Sequence, residues 1–228
     1  MSQQPSKQRH LITVTNPRSP VSEAFRTLRT NIDFSSIDEQ IQIIMVTSTG
    51  PEEGKSTVTA NLAAAYAQAD KKVLLIDGDM RKPTAHKTFS LSNRHGLSSL
   101  LSQQSSLEEA TQATGVSNLS IVTSGPIPPN PAEMMASNRM NALLQELRQL
   151  YDVVLIDTPP LLAVTDAQII ASKSDGVIMV VSYGKVKRDI AAKAKSGLDR
   201  VGAKMLGVVL NNVKRKASEG YYYYYYGN

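Results

Sequence analysis

The chain has 228 residues, 41% hydrophobic and 20% charged, with a formal net charge of +5 and no cysteine. That length and balance suit one soluble α/β domain. The missing cysteine excludes disulfides, cysteine-ligated zinc and thiol nucleophiles and fits a reducing cytoplasm. His10, His86 and His95 are scattered, so a histidine metal site is not expected. Of nine tyrosines and three phenylalanines, six tyrosines are consecutive, Tyr221 to Tyr226. The core must therefore be aliphatic, and half of the aromatic inventory needs another explanation. No apolar run approaches the ~20 residues of a membrane span, and the polar start MSQQPSKQRH has no signal-like apolar stretch. The positive charge invites acidic partners such as nucleotides or phosphates.

Residues 1–18 are polar and basic and read as a mobile arm. Ser19-Pro20 has the form of an N-cap with proline at the first helical position, opening a helix over 20–33. Ala24, Leu28 and Ile32 give that helix an apolar stripe, and Glu23, Arg26 and Arg29 recur at intervals of three, by default a solvated face. The apolar runs at 41–49, 72–79, 119–122, 151–160, 176–182 and 205–213 predict strands. Helical patterns at 55–69, 137–150 and 185–204 alternate with them. This alternation predicts an α/β fold with a mostly parallel central sheet and helices on both faces. The segment 125–131 reads as a loop.

The run 41–49 leads into Gly50-Pro51-Glu52-Glu53-Gly54-Lys55-Ser56-Thr57. A phosphate-binding loop has the pattern GxxxxGK[ST] between a strand and a helix. Its backbone N–H groups and the following helix N-terminus surround phosphate oxygens. Lys55 would reach the β- and γ-phosphates and Ser56 would ligate Mg²⁺. The first glycine of the pattern is replaced by Thr49. Asp157 ends the apolar run VVLI, where such loops keep a carboxylate for Mg²⁺. Asp77 and Asp79 end another run, expected beside the phosphate-loop strand. Ligands of open parallel sheets bind at strand C-termini. Lys55, Ser56, Asp77, Asp79 and Asp157 should therefore converge on ATP and Mg²⁺. Asn211 ends the last strand, where it serves either an adenine contact or a turn.

The set GPEEGKST, VLLIDGDMRKP and VVLIDTPP resembles the bacterial tyrosine kinases (BY-kinases). More narrowly, it is similar to the CapB-type cytoplasmic kinases of Gram-positive capsular polysaccharide synthesis. The resemblance runs over nearly the whole chain, from SEAFRTLRTN to the tyrosine cluster. It implies a single P-loop kinase domain over 19–212 and a tail over 213–228 phosphorylated at Tyr221, Tyr222, Tyr223, Tyr224, Tyr225 and Tyr226. ATP would be held by Gly50 to Thr57, with Ser56, Asp77 and Asp157 around Mg²⁺ and Asp79 near the attacking hydroxyl. Glu23, Arg26 and Arg29 match a motif that the resemblance associates with ring-shaped oligomers such as octamers. A separate transmembrane activator of the polysaccharide co-polymerase type would bring this cytoplasmic chain to the membrane. Its other partners would be proteins of polysaccharide synthesis, with no nucleic acid. A Min- or Par-type positioning ATPase is the competing reading, but many of those carry a second lysine where Gly50 stands.

Overall fold

The apolar runs become strands of one sheet in a computed structural model that describes residues 11–35 and 41–213. In chain order the elements are α1 (Ile12–Thr15), α2 (Pro20–Phe34), β1 (Ile43–Ser48), α3 (Lys55–Ala67), β2 (Val73–Asp77), α4 (Ala85–Thr88), α5 (Leu97–Leu101), α6 (Leu107–Ala110), β3 (Thr111–Ala113), β4 (Leu119–Val122), α7 (Pro131–Ala136), α8 (Asn138–Leu150), β5 (Val153–Asp157), α9 (Asp166–Ala171), β6 (Gly176–Ser182), α10 (Arg188–Asp199) and β7 (Met205–Asn211). The seven strands are ordered β3-β4-β2-β5-β1-β6-β7. Every neighbouring pair is parallel except β3 with β4.

Alternation along the central strands divides the core in two. Ile43 and Met45 of β1 face a layer that includes Met140, Leu144 and Leu147 of α8, Ile170 of α9 and Leu198 of α10. Ile44 and Val46 face Leu62, Ala63 and Tyr66 of α3 and Ile32 of α2. Strands covered on both sides can be apolar throughout, and β1, β2, β5 and β6 are buried along their whole length. Helix α3 is wedged between the sheet and α2, so its residues 58–67, half of them alanine, are buried on every side. As the composition requires, the core is aliphatic, with Tyr66 the one aromatic among its fully buried large side chains.

The structure departs from the sequence reading in several places. The strand of Asp77 is not beside the phosphate-loop strand; β5, carrying Asp157, lies between them. The second half of the expected arm is docked: α1 packs on α3, and Thr13, 1% exposed, donates its backbone N–H to Asn61 Oδ1 at 3.1 Å. A polar contact of this kind leaves no apolar pattern to read. On α2, Ala24 is exposed, and Phe25 packs inward with Leu28 and Ile32. The antiparallel edge strand β3 was not anticipated, because the short run Thr111-Gln112-Ala113 carries no strand signature. Pro131, expected to end a loop, is the first residue of α7, a position that its fixed φ favours. Residues 1–10 and the cluster Tyr221–Tyr226 lie outside the described residues.

Candidate active site

The C-terminal ends of β1, β5 and β2 bring the sequence-predicted residues together. After β1 the chain passes through Glu52 (φ 61°) and Gly54 (φ 90°) before entering α3 at Lys55. Left-handed residues alternating with ordinary ones turn successive N–H groups toward one concavity, the form of an anion nest. Gly54 is required twice over, because its φ is left-handed and an added Cβ would collide with Asn211 Nδ2. Thr49 replaces the usual glycine without strain, since it is not left-handed.

Glu53 turns away from the concavity. Its buried carboxylate accepts from Thr49 Oγ1, from Gly50 N and, at 3.4 Å, from Ser182 N. It thus braces the loop against β6. Asn211 makes a second brace by donating Nδ2 to Glu53 O at 2.9 Å. The sequence pointed to Glu53 as a nucleotide contact and to Asn211 as an adenine contact or a turn residue; the bonds that both make also hold the shape of the loop.

Lys55 Nζ is 3.0 Å from Asp79 Oδ2 and 3.5 Å from Asp157 Oδ1, and 3.4 Å from Ser56 Oγ. Burial alone would lower the lysine pKa. The carboxylates of Asp157 and Asp79 outweigh that effect and raise it, so Lys55 stays charged. Asp77, Asp79 and Asp157 are 0%, 5% and 2% exposed. One lysine cannot neutralise three carboxylates. Burial, then repulsion from Asp157, pushes Asp77 up to about 7. Burial raises Asp157 too, opposed by Lys55 and the Ser56 hydroxyl.

The three carboxylates play different local parts. Asp77 Oδ2 accepts the backbone N–H groups of Thr84 (3.0 Å) and Ala85 (2.9 Å), and Oδ1 accepts that of Asp79 (3.3 Å). It therefore closes the loop that follows β2. Asp79 Oδ1 accepts Lys82 N at 3.0 Å. Asp157 is the exception. Neither of its buried oxygens accepts a hydrogen bond of ordinary geometry, and Oδ1 has only the 3.5 Å ion pair with Lys55. Buried acceptors this sparsely partnered, next to a serine hydroxyl, suit a metal cation. Among the described residues no three acidic or histidine side chains hold a metal by themselves. That suits Mg²⁺, which takes one or two protein ligands and completes its shell with water and phosphate.

Gly78 N donates to Asp157 O at 2.7 Å, and a Cβ on Gly78 would approach that oxygen to 2.8 Å, so the β2 and β5 loops touch at their roots. Arg81 then bonds Asp166 with both forks of its guanidinium. Sequence reasoning did not find Asp166; Thr165-Asp166 reads only as a helix opening. Glu23, Arg26 and Arg29 lie away from this site. Glu23 pairs with Arg26 at 2.5 Å, while Arg29 donates to Ala65 O at 2.8 Å in the last turn of α3.

Residues 41–191 match the family described as AAA domain. The chain is 51% identical over 207 residues to tyrosine-protein kinase YwqD of Bacillus subtilis (strain 168), covering 91% of this chain and 87% of that one. It is 42% identical to putative tyrosine-protein kinase CapB of Staphylococcus aureus, covering 90% of each. The crystal structure of the chimerical protein CapA2B2 superposes with a TM-score of 0.87 at 46% identity, again over 90% of each chain. The chain belongs to the bacterial tyrosine-protein kinases, in the CapB-type group.

Proposed function

We propose that this kinase uses ATP and Mg²⁺ to phosphorylate the tyrosines Tyr221 to Tyr226 of its own kind, and that it acts in capsular or extracellular polysaccharide synthesis. The observation that carries the reading is the junction of Lys55 with Asp79 and Asp157 at the mouth of a nested phosphate loop. In phosphoryl transfer, positioning and charge stabilisation dominate. ATP would draw Lys55 away from Asp79 to the β- and γ-phosphates. Bound Mg²⁺ would neutralise phosphate charge and fit between Ser56, Asp157 and, by the family resemblance, Asp77. Asp79, freed of Lys55, would orient the tyrosine hydroxyl or accept its proton late; Asp77, held by three backbone N–H groups, is less free to do so.

Strand β7 runs parallel to β6 and so to β1, and it ends beside the phosphate loop. Tyr221 follows Asn212 by nine residues, a reach of up to ~30 Å. The tail can therefore reach its own site or a neighbour's, and the resemblance favours the neighbour's, within a ring using Glu23, Arg26 and Arg29. Among the described residues no helix is long and apolar enough to cross a membrane. Recruitment to the inner face of the membrane by a separate transmembrane activator would supply that link.

Lys55→Met tests the reading. Tail phosphorylation should fall to background, and retained autophosphorylation would overturn the assignment. In the wild type, a rate per enzyme independent of concentration in a monomeric preparation would exclude transfer between subunits. Phosphate release without phosphotyrosine would favour the positioning-ATPase alternative.

A further inference from the structure

The pair formed by Arg81 and Asp166 is unlike the other ion pairs of the molecule. Asp166 is 1% exposed, yet its partner's side chain is 42% exposed. Both carboxylate oxygens are taken, Oδ2 by Arg81 Nε at 2.8 Å and Oδ1 by Arg81 Nη2 at 3.0 Å. Such a two-point contact fixes angle as well as distance. Its ends lie in the two loops that carry the acidic site. Arg81 is two residues beyond Asp79, and Asp166 is nine residues beyond Asp157, at the start of α9.

Those loops are otherwise joined at three places. At the root, Gly78 N meets Asp157 O. At the strands, Asp77 and Asp157 stand side by side in register. At the mouth, Lys55 spans Asp79 and Asp157. The third joint is temporary if Lys55 turns to the phosphates. Asp79 would then lose its tie to Asp157, and Mg²⁺ held by Ser56 and Asp157 would not replace it, so the mouth of the β2 loop would be free to move.

We infer that Asp166, acting through Arg81, is a positioning residue that keeps Asp79 at its working distance from Asp157 once Lys55 has left for the nucleotide. The inference rests on the proposed role of Lys55. Asp166 touches neither nucleotide nor tyrosine. It holds the β2 loop across the gap, so that the carboxylate near the attacking hydroxyl stays aligned with the one near Mg²⁺. A displacement of about 1 Å at such a site costs on the order of a hundredfold in rate.

The informative variant is Asp166→Asn in the full chain. It removes the buried charge and leaves Arg81 in contact with solvent, which is the less damaging way to break a buried pair. Arg81→Lys keeps the positive charge and loses the fork. Three quantities are read well below the melting temperature: affinity for a fluorescent ADP without Mg²⁺, kcat for tail phosphorylation, and the Mg²⁺ concentration giving half-maximal rate. For Asp166→Asn, ADP affinity should change less than about threefold, while kcat falls roughly tenfold to a hundredfold and more Mg²⁺ is required. Arg81→Lys should fall between this variant and the wild type. Unchanged kcat and Mg²⁺ dependence with a lowered melting temperature would make the pair a structural staple only and overturn the inference. An equal loss of ADP affinity and rate would also overturn it, by placing the effect on the phosphate loop. Failure of the underlying reading is separable, because it would show as retained phosphorylation in Lys55→Met whatever Asp166→Asn does.

Discussion

Replacing Asp77 with asparagine should make the metal-free protein more stable at neutral pH, and the effect should grow with pH. In the folded chain the Asp77 carboxyl is pushed up to about 7 from an ordinary value of 3.8. Between those values the folded state binds a proton that the unfolded state has released. Stability from this group is therefore complete below the lower value and is lost as pH rises through the upper one. At ~1.4 kcal/mol per pH unit, the full loss is about 4 kcal/mol, of which about 3 falls between pH ~5 and ~8. Asparagine does not ionise. Its carbonyl can still accept from Thr84 N and Ala85 N, and the 3.3 Å bond from Asp79 N is forfeited, at about 1 kcal/mol. Urea denaturation in EDTA across that range should show the stability gap moving by about 3 kcal/mol in favour of Asp77→Asn. Parallel profiles, with the variant less stable by the same amount throughout, would refute the claim that Asp77 carries an uncompensated buried charge. The same substitution should lower phosphoryl transfer, since the charge that costs stability is the one expected to attract Mg²⁺.

Two further substitutions separate the shape of the loop from its chemistry. Gly54→Ala forces a side chain onto a left-handed residue (φ 90°) and into Asn211, so nucleotide binding should fall at least tenfold in a titration, with the fold retained by circular dichroism. Glu53→Gln keeps the size of the brace but can accept at only one of its two positions, against Thr49 and Gly50 or against Ser182. It should raise the KM for ATP several-fold with a smaller change in kcat, because a loosened loop costs about 1 kcal/mol of binding.

The parts legible in the sequence were those with local signatures. Apolar runs ending in Asp157 and Asp77, and a run leading into Gly54-Lys55-Ser56, give away strand, turn and helix within a few residues each. Ser19-Pro20 marked the start of α2 because capping chemistry is local: the Ser19 hydroxyl accepts Ser22 N at 3.1 Å. What escaped depends on contacts between distant segments. Glu53 reaches Ser182 across 129 positions, and Arg81 reaches Asp166 across 85. Nothing in either neighbourhood distinguishes a brace from an exposed charge. Strand order escaped for the same reason. That β5 inserts between β1 and β2 is decided by how crossovers pack, and it puts Asp157 beside Lys55 and Asp77 rather than at the margin.

The acidic site, the phosphate loop and the six consecutive tyrosines are joined by one claim, that the chain phosphorylates its own tail. Intact mass before and after incubation with ATP and Mg²⁺, followed by peptide mapping, tests it most directly. The account predicts stepwise addition of up to six phosphates, all mapping to Tyr221–Tyr226 and none in Lys55→Met. An unchanged mass with ATP consumed, or phosphates confined to residues outside that cluster, would contradict it.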